Sequence, residues 1–348
     1  MSTIYITEQD VSFQIQHQYL KVLHQQNQRI CIPIRNINQF IIFGNISLPK
    51  EVIKLVTSYQ IPVLYLTQTG EYLGRLENPS QTRAKYFSYQ RRHASKTEFN
   101  RAIAESIIWA KLHNQHTLLQ NWNRHYANYT TQRALNYLML LMDNLSVAPG
   151  IEELQEYSEE ADNIYYCALT SLLSFYNSSP YINRKRISGL IDLGNQLLHQ
   201  YIYTLLNTVG LDPNYAILHH KEHDELPLAW DFTAEFRALM VDDLVLNFVR
   251  NLANTNGNGN GNGKNHSHKL LQKFLQHWEG KLRTFVLHPY GGEISYRQCL
   301  DLQVREYLAS LLGDVEFYRP LALKFHPANS DFINTTKPPT VPLKLVKQ

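Results

Sequence analysis

The residues most able to do chemistry sit in one stretch. Gly-Leu-Asp-Pro-Asn-Tyr-Ala-Ile-Leu-His-His, residues 210–220, ends on His219 and His220, and Asp231 and Glu235 follow in Trp-Asp-Phe-Thr-Ala-Glu-Phe-Arg. Imidazole and carboxylate together are the makings of a metal site or an acid–base pair. Upstream, six acids (Glu152, Glu153, Glu156, Glu159, Glu160 and Asp162) fall within eleven residues that hold no Lys or Arg. Near a helix N-terminus such acids simply favour the macrodipole. They are also the hard oxygen ligands that a divalent cation working on phosphodiesters needs. Residues 83–125 carry eight Lys or Arg, Arg91, Arg92 and Lys111 among them, against two acids, with Tyr86, Phe87 and Tyr89 interleaved. That pattern suits a phosphate backbone held beside stacked bases, or else a solvated basic helix.

Composition frames these candidates. At 348 residues, 44% hydrophobic and 18% charged, the chain can bury a sizeable core, and the expectation is two domains of a soluble protein. A net charge of +3 announces no polyanion partner by itself. Three scattered cysteines, Cys31, Cys167 and Cys299, argue against a disulfide framework or a cysteine zinc site and for a reducing cytoplasm. Neither a signal-peptide pattern at the N-terminus nor a membrane-length apolar run is present, so a protein neither secreted nor membrane-spanning is expected.

The positioning elements follow from hydrophobic period. Short alternating runs rich in Ile, Val, Tyr and Phe predict a β-rich unit over residues 1–78, with one helix over Ser-Leu-Pro-Lys-Glu-Val-Ile-Lys-Leu-Val and a strand–turn–strand after it. Pro79 and Ser80 mark a linker over 79–92. From 93 to 326 helical spacing takes over, as at Ile103, Ile107 and Ala110, and predicts seven to nine helices between 85 and 313. The fold class expected is α+β, a β-rich domain followed by a larger all-helical one. The Asn/Gly tract 254–268 is expected to be a flexible loop, and 327–348 a disordered tail.

Four segments together carry a family resemblance. Gly-Leu-Asp-Pro…His, the Leu-Pro-Leu-Ala-Trp-Asp-Phe-Thr-Ala-Glu-Phe-Arg helix, Ser-Tyr-Arg-Gln-Cys-Leu-Asp-Leu…Phe-Tyr-Arg-Pro, and the run holding Lys111, Asn114 and Gln115 stand in one order. In this the chain resembles the CRISPR-associated spacer-integration endonuclease, the larger of the two core adaptation proteins. The resemblance implies a prokaryotic cytoplasmic homodimer that binds double-stranded DNA and joins a small ferredoxin-like partner. It also implies an integrase reaction in which a spacer 3′-hydroxyl attacks a repeat phosphodiester, helped by Mg²⁺ or Mn²⁺.

The same resemblance implies three metal ligands. His219, rather than His220, matches the histidine, and imidazole suits Mn²⁺ better than Mg²⁺. The other two positions depart from the family. Ser158 stands where a glutamate belongs, a register one residue later offering Glu159 instead, and Ala234 stands where the third acid belongs, three residues after Asp231. Asp162 and Glu235, one helical turn beyond Ser158 and Asp231, are the expected substitutes if the helices shift. Asp231 is read, with His219, as a catalytic candidate, or else as a helix cap or ion-pair partner of Arg237. Arg91, Arg92, Lys111 and Arg237 are the expected DNA contacts. Arg297 is expected to pair with a neighbouring acid, and His220, His223 and Asp224 to be exposed loop residues.

Overall fold

The structure, a computed structural model, describes residues 3–24, 27–76, 85–174, 183–219, 225–254, 263–289 and 292–322. The N-terminal part forms two sheets. β1 (Thr3–Ile6), β5 (Gln39–Phe43), β6 (Val63–Leu66) and β7 (Tyr72–Leu76) lie side by side in that order. The first two pairings are parallel and the last antiparallel. β2 (Val11–Gln16), β3 (Tyr19–His24) and β4 (Asn27–Pro33) make an antiparallel meander. α1 (Lys50–Ser58) connects β5 to β6, with Pro49 at its start fixing a non-helical entry.

Strand alternation divides the four-stranded sheet between two cores. Ile4, Ile6, Phe40, Ile42 and Val63 face the meander and α1. Tyr5, Ile41, Phe43, Leu64 and Leu66 point the other way and join the core of the helical part. A central strand such as Phe-Ile-Ile-Phe therefore reads as a continuous apolar run because both of its faces are covered. Tyr5 Oη donates to Glu279 at 2.8 Å, and Thr204 Oγ1 donates to Gln39 Oε1 at 2.9 Å, adding polar ties between the sheet and the helices.

Nine α-helices follow among the described residues: α2 (Phe87–Ala94), α3 (Thr97–Asn123), α4 (Tyr129–Asn144), α5 (Ile151–Ser174), α6 (Arg184–Val209), α7 (Pro227–Arg237), α8 (Asp243–Asn254), α9 (Gly263–Arg283) and α10 (Tyr296–Leu312). The second half of α6 is buried all round from Leu197 to Leu206, which makes it the central helix. Gly194 on α6 lets the chain pass close to a π-helical turn at Ala238–Asp242, since a Cβ there would lie 2.6 Å from Val241 Cγ1.

The α+β class expected, a β-rich part followed by a larger helical one, is what the structure has. Three details differ: within the mostly helical part, β8 (Phe285–His288) and β9 (Gly292–Ser295) pair as an antiparallel hairpin ahead of α10. Four-residue strands are too short to stand out from helical spacing on either side. Residues 263–268 of the Asn/Gly tract begin α9, whose apolar spacing further along supplies the packing that holds it. Residues 87–92 of the expected linker belong to α2. The rest of that linker's first part (79–84), the tract's centre (255–262) and the tail (327–348) lie outside the described residues. Cys31, Cys167 and Cys299 are free thiols. Among the described residues no helix is long and apolar enough to cross a membrane.

Candidate active site

The Gly-Leu-Asp-Pro segment is built as a braced loop. Gly210 ends α6 with φ +93, where a side chain would be strained and its Cβ would lie 3.0 Å from Lys85 Cβ. Gln90 on α2 then clamps the next turn from both sides: its Nε2 donates to Asp212 O at 2.9 Å and its Oε1 accepts from Asp212 N at 2.8 Å. Asp212 Oδ1 accepts from Asn214 N at 3.0 Å, closing a local turn. Leu228 N, in the first turn of α7, donates to Pro213 O at 2.9 Å.

Asp231 organises the end of this loop. It is fully buried on α7, and its carboxylate accepts from the backbone N–H groups of Ile217 at 2.7 Å and His219 at 3.0 Å, with Leu218 N shared between both oxygens at 3.3 Å. Its Oδ1 is also 2.7 Å from His219 Nδ1. Three converging N–H groups and an imidazole offset the cost of burying a carboxylate. The His219 side chain remains 35% exposed, so its second ring nitrogen is the one available to a ligand. Asp231 is bonded to the His219 ring and loop backbone, and no ion pair joins it to Arg237.

The acidic helix α5 meets this loop through Gln155, whose Nε2 donates to Leu218 O. One turn further along the same face stands Ser158, and one turn beyond it Asp162. Lys111 on α3 fills the space opposite them. Its Nζ lies 2.7 Å from Ser158 Oγ and 2.7 Å from Asp162 Oδ2, and also donates to Ser158 O at 3.3 Å. Gln115, one turn on from Lys111, donates to Asp162 Oδ1 at 2.8 Å. Burial lowers the Lys111 pKa, and the neighbouring Asp162 opposes that shift. Lys111 is thus engaged inside the protein rather than displayed as a surface DNA contact. Glu159 is exposed.

Glu235 corrects the expectation most sharply. It is fully buried and turned away from the loop, with Oε2 accepting from Tyr318 Oη at 2.7 Å and Oε1 from Leu321 N at 2.6 Å. Burial raises its pKa to about 7, against the lowering effect of those two hydrogen bonds. Asn114 secures the same corner by donating to the Glu235 carbonyl at 2.8 Å and to the Leu321 carbonyl at 3.0 Å. Ala234 lies half-buried, with Trp230 and Arg237 at helical spacing on the more open side of α7.

Arg237 lies against α5, its guanidinium 4.8 Å from the centre of the Tyr166 ring and its Nε 3.9 Å from Asp242 Oδ1. Asp242 sits in the π-helical turn, where Tyr165 Oη donates to Oδ2 at 2.8 Å, and burial pushes its pKa to about 6. Beneath α7, His199 stacks on Trp230 with ring centres 4.2 Å apart, and burial with Arg75 nearby pushes its imidazole down to about 3. Arg297 pairs with Glu279 at 3.2 Å.

Arg91 and Arg92 are exposed on α2, with Lys85 before them and Lys96 after. Arg92 lies 5.7 Å from the Tyr89 ring centre. The Gln90 clamp joins this basic helix to the His219 loop, a link that no charge or periodicity signal marks. Gln155 is likewise unmarked, since neutral amides occur on any polar helix face. His220, His223 and Asp224 lie outside the described residues.

A divalent cation fits this donor set poorly. Among the described residues no three His, Cys, Asp or Glu side chains gather as ligands. Asp231 is saturated by N–H donors, Glu235 faces Tyr318, and Asp162 is already paired with an ammonium.

Comparison with known proteins identifies the family. The model of the family described as CRISPR associated protein Cas1 matches residues 4–280. A CRISPR-associated endonuclease Cas1 of Thermus thermophilus is 25% identical over 338 residues, 93% of this chain and 98% of the relative. One of Moorella thermoacetica is 24% identical, covering 92% and 98%. A solved CAS1 protein from Thermotoga maritima superposes with a TM-score of 0.70 at 18% identity, covering 91% of this chain and 99% of that one. A casposase bound to integration product gives 0.71 at 20% identity, covering 91% and 92%. Both structures share the fold. The chain belongs to the Cas1 family of integrases and endonucleases.

Proposed function

With that membership as premise, we propose that this chain works in the insertion of short DNA segments into a CRISPR array, with His219 at the reacting phosphodiester. The observation that carries the reading is the His219–Asp231 bond of 2.7 Å at a half-exposed loop end, set in the segment that matches the family. Asp231 fixes Nδ1 and leaves Nε2 open for proton transfer. In transesterification the attacking 3′-hydroxyl loses its proton as the new P–O bond forms. The old P–O bond breaks, and its oxygen takes up a proton. His219 can serve at either oxygen. Arg237, about two turns along α7 from Asp231 and partly exposed, is proposed as the cation that offsets developing phosphoryl charge.

The partners proposed are double-stranded DNA, a second copy of the chain and a small ferredoxin-like protein, in the cytoplasm of a prokaryote. Solved Cas6-RT-Cas1–Cas2 complexes share the fold, one with a TM-score of 0.73 at 16% identity over 92% of this chain. The exposed Arg91 and Arg92 on α2 are proposed to follow the DNA backbone.

A half-site integration assay with and without Mn²⁺, comparing the chain with His219→Ala, tests the reading. Loss of a positioned acid–base group is expected to lower product by roughly 10²–10⁴-fold. Equal product from both proteins would remove His219 from the chemistry. A second reading, in which the chain binds DNA within the assembly and another copy or paralogue supplies catalysis, is favoured by the capture of Asp162 by Lys111. Both readings require duplex binding that weakens steeply with salt, because phosphate contacts release counterions; salt-insensitive binding would refute DNA engagement.

A further inference from the structure

Among the described residues the buried carboxylates near the His219 loop have internal partners, while Glu152, Glu156 and Glu159 on α5 are exposed. Asp231 serves three N–H groups and an imidazole, Glu235 serves Tyr318 and Leu321 N, and Asp242 serves Tyr165. Asp162 is the acid on the α5 face that runs from Gln155 through Ser158, and its two oxygens are taken by Lys111 Nζ and Gln115 Nε2. Ser158, which the Lys111 ammonium contacts, stands one helical turn, about 5 Å of rise, from Gln155, the α5 residue bonded to the His219 loop. The hydroxyl of Ser158, which replaces the expected glutamate, is itself held by that ammonium at 2.7 Å.

We infer that Lys111 Nζ takes the place of a divalent cation in this chain: the ammonium binds Ser158 and Asp162, and the protein engages DNA without binding Mg²⁺ or Mn²⁺ of its own. A hard divalent ion exchanges its water for charged oxygen ligands. Here the Asp162 carboxylate is already paired with an ammonium whose side chain is 12% exposed. The ammonium is thus already engaged by Ser158 and Asp162, with the charges of Glu159 and Arg237 also acting on it, and the methyl of Ala234 offers no oxygen to a cation.

The test uses the whole chain without DNA, titrated with Mn²⁺ and followed by isothermal calorimetry and by the thermal midpoint. The wild-type chain is expected to give no saturable heat and no midpoint shift. Ser158→Glu combined with Ala234→Asp, two half-buried positions, is expected to gain a saturable midpoint rise. Saturable Mn²⁺ uptake by the wild type that His219→Ala abolishes would overturn the inference. So would a folded double variant, checked by circular dichroism, that gains no uptake. Duplex affinity measured in chelator and in Mn²⁺ is expected to agree within about twofold at matched ionic strength; affinity lost in chelator also overturns it. This inference rests on the integration reading only for the DNA arm, so failed Mn²⁺ exclusion and failed DNA binding are separate results.

Discussion

Asp231→Asn isolates the device that presents His219. The wild-type carboxylate, itself at zero exposure, accepts from Ile217 N at 2.7 Å, His219 N at 3.0 Å, Leu218 N at 3.3 Å and His219 Nδ1 at 2.7 Å. Asparagine keeps one acceptor oxygen and turns an NH₂ toward the donors that faced the other. Hydrogen bonds to a charged group contribute about 1.5–3 kcal/mol each, and a donor left facing a donor costs more than its lost bond. Losing two of them should cost about 3–5 kcal/mol, the range seen when a buried charged partner is removed. The loss should appear locally, because the loop can open to water while the helices stay packed. Amide hydrogen exchange at residues 217–219 is the direct assay, and protection there should fall by about two to three and a half powers of ten, at 1.4 kcal/mol per tenfold. Half-site integration should fall with it, while duplex affinity stays near wild type. Unchanged protection at these amides would refute the claim that Asp231 holds the loop.

Three further outcomes follow from the geometry. Glu235 has its pKa raised from 4.5 to about 7, so between those values the unfolded chain releases a proton that the folded chain keeps. Stability contributed by this group is therefore full below about pH 4.5 and is lost as pH rises to 7, by about 3 kcal/mol. Glu235→Gln, which mimics the protonated acid, should flatten that part of the urea-midpoint profile, and identical profiles would count against the buried-acid account. Gln90→Ala removes both bonds to the Asp212 backbone and should lower stability by about 1–3 kcal/mol in urea unfolding, with an unchanged midpoint speaking against the clamp. Arg91→Glu with Arg92→Glu should weaken duplex binding at every sequence tested and reduce the log–log salt slope by about one per lost phosphate contact; an unaltered slope would place the DNA elsewhere.

The sequence by itself determined the order of β-rich and helical parts, α1, the β6–β7 turn and the choice of His219 and Asp231 as candidates, though not their bond to each other. Each is a local or periodic signal: alternation of two, repetition near 3.6, a glycine at φ +93, a histidine and an acid a dozen residues apart. Periodicity also put Glu235 one turn from Asp231 and Asp162 one turn from Ser158. What it could not supply was the neighbour each would meet. Glu235 lies on the α7 side that packs against Tyr318 and Leu321, and Asp162 meets Lys111, residues separated from them in sequence by 83, 86 and 51 positions. The β8–β9 hairpin was hidden for the related reason that two four-residue strands are stabilised by pairing with each other and packing against α10, not by their own pattern. Spacing along a helix fixes which side chains share a face; only the packing of α3, α5, α7 and the chain after α10 decided which charges that face would meet, and so which carboxylates were left to bind a cation.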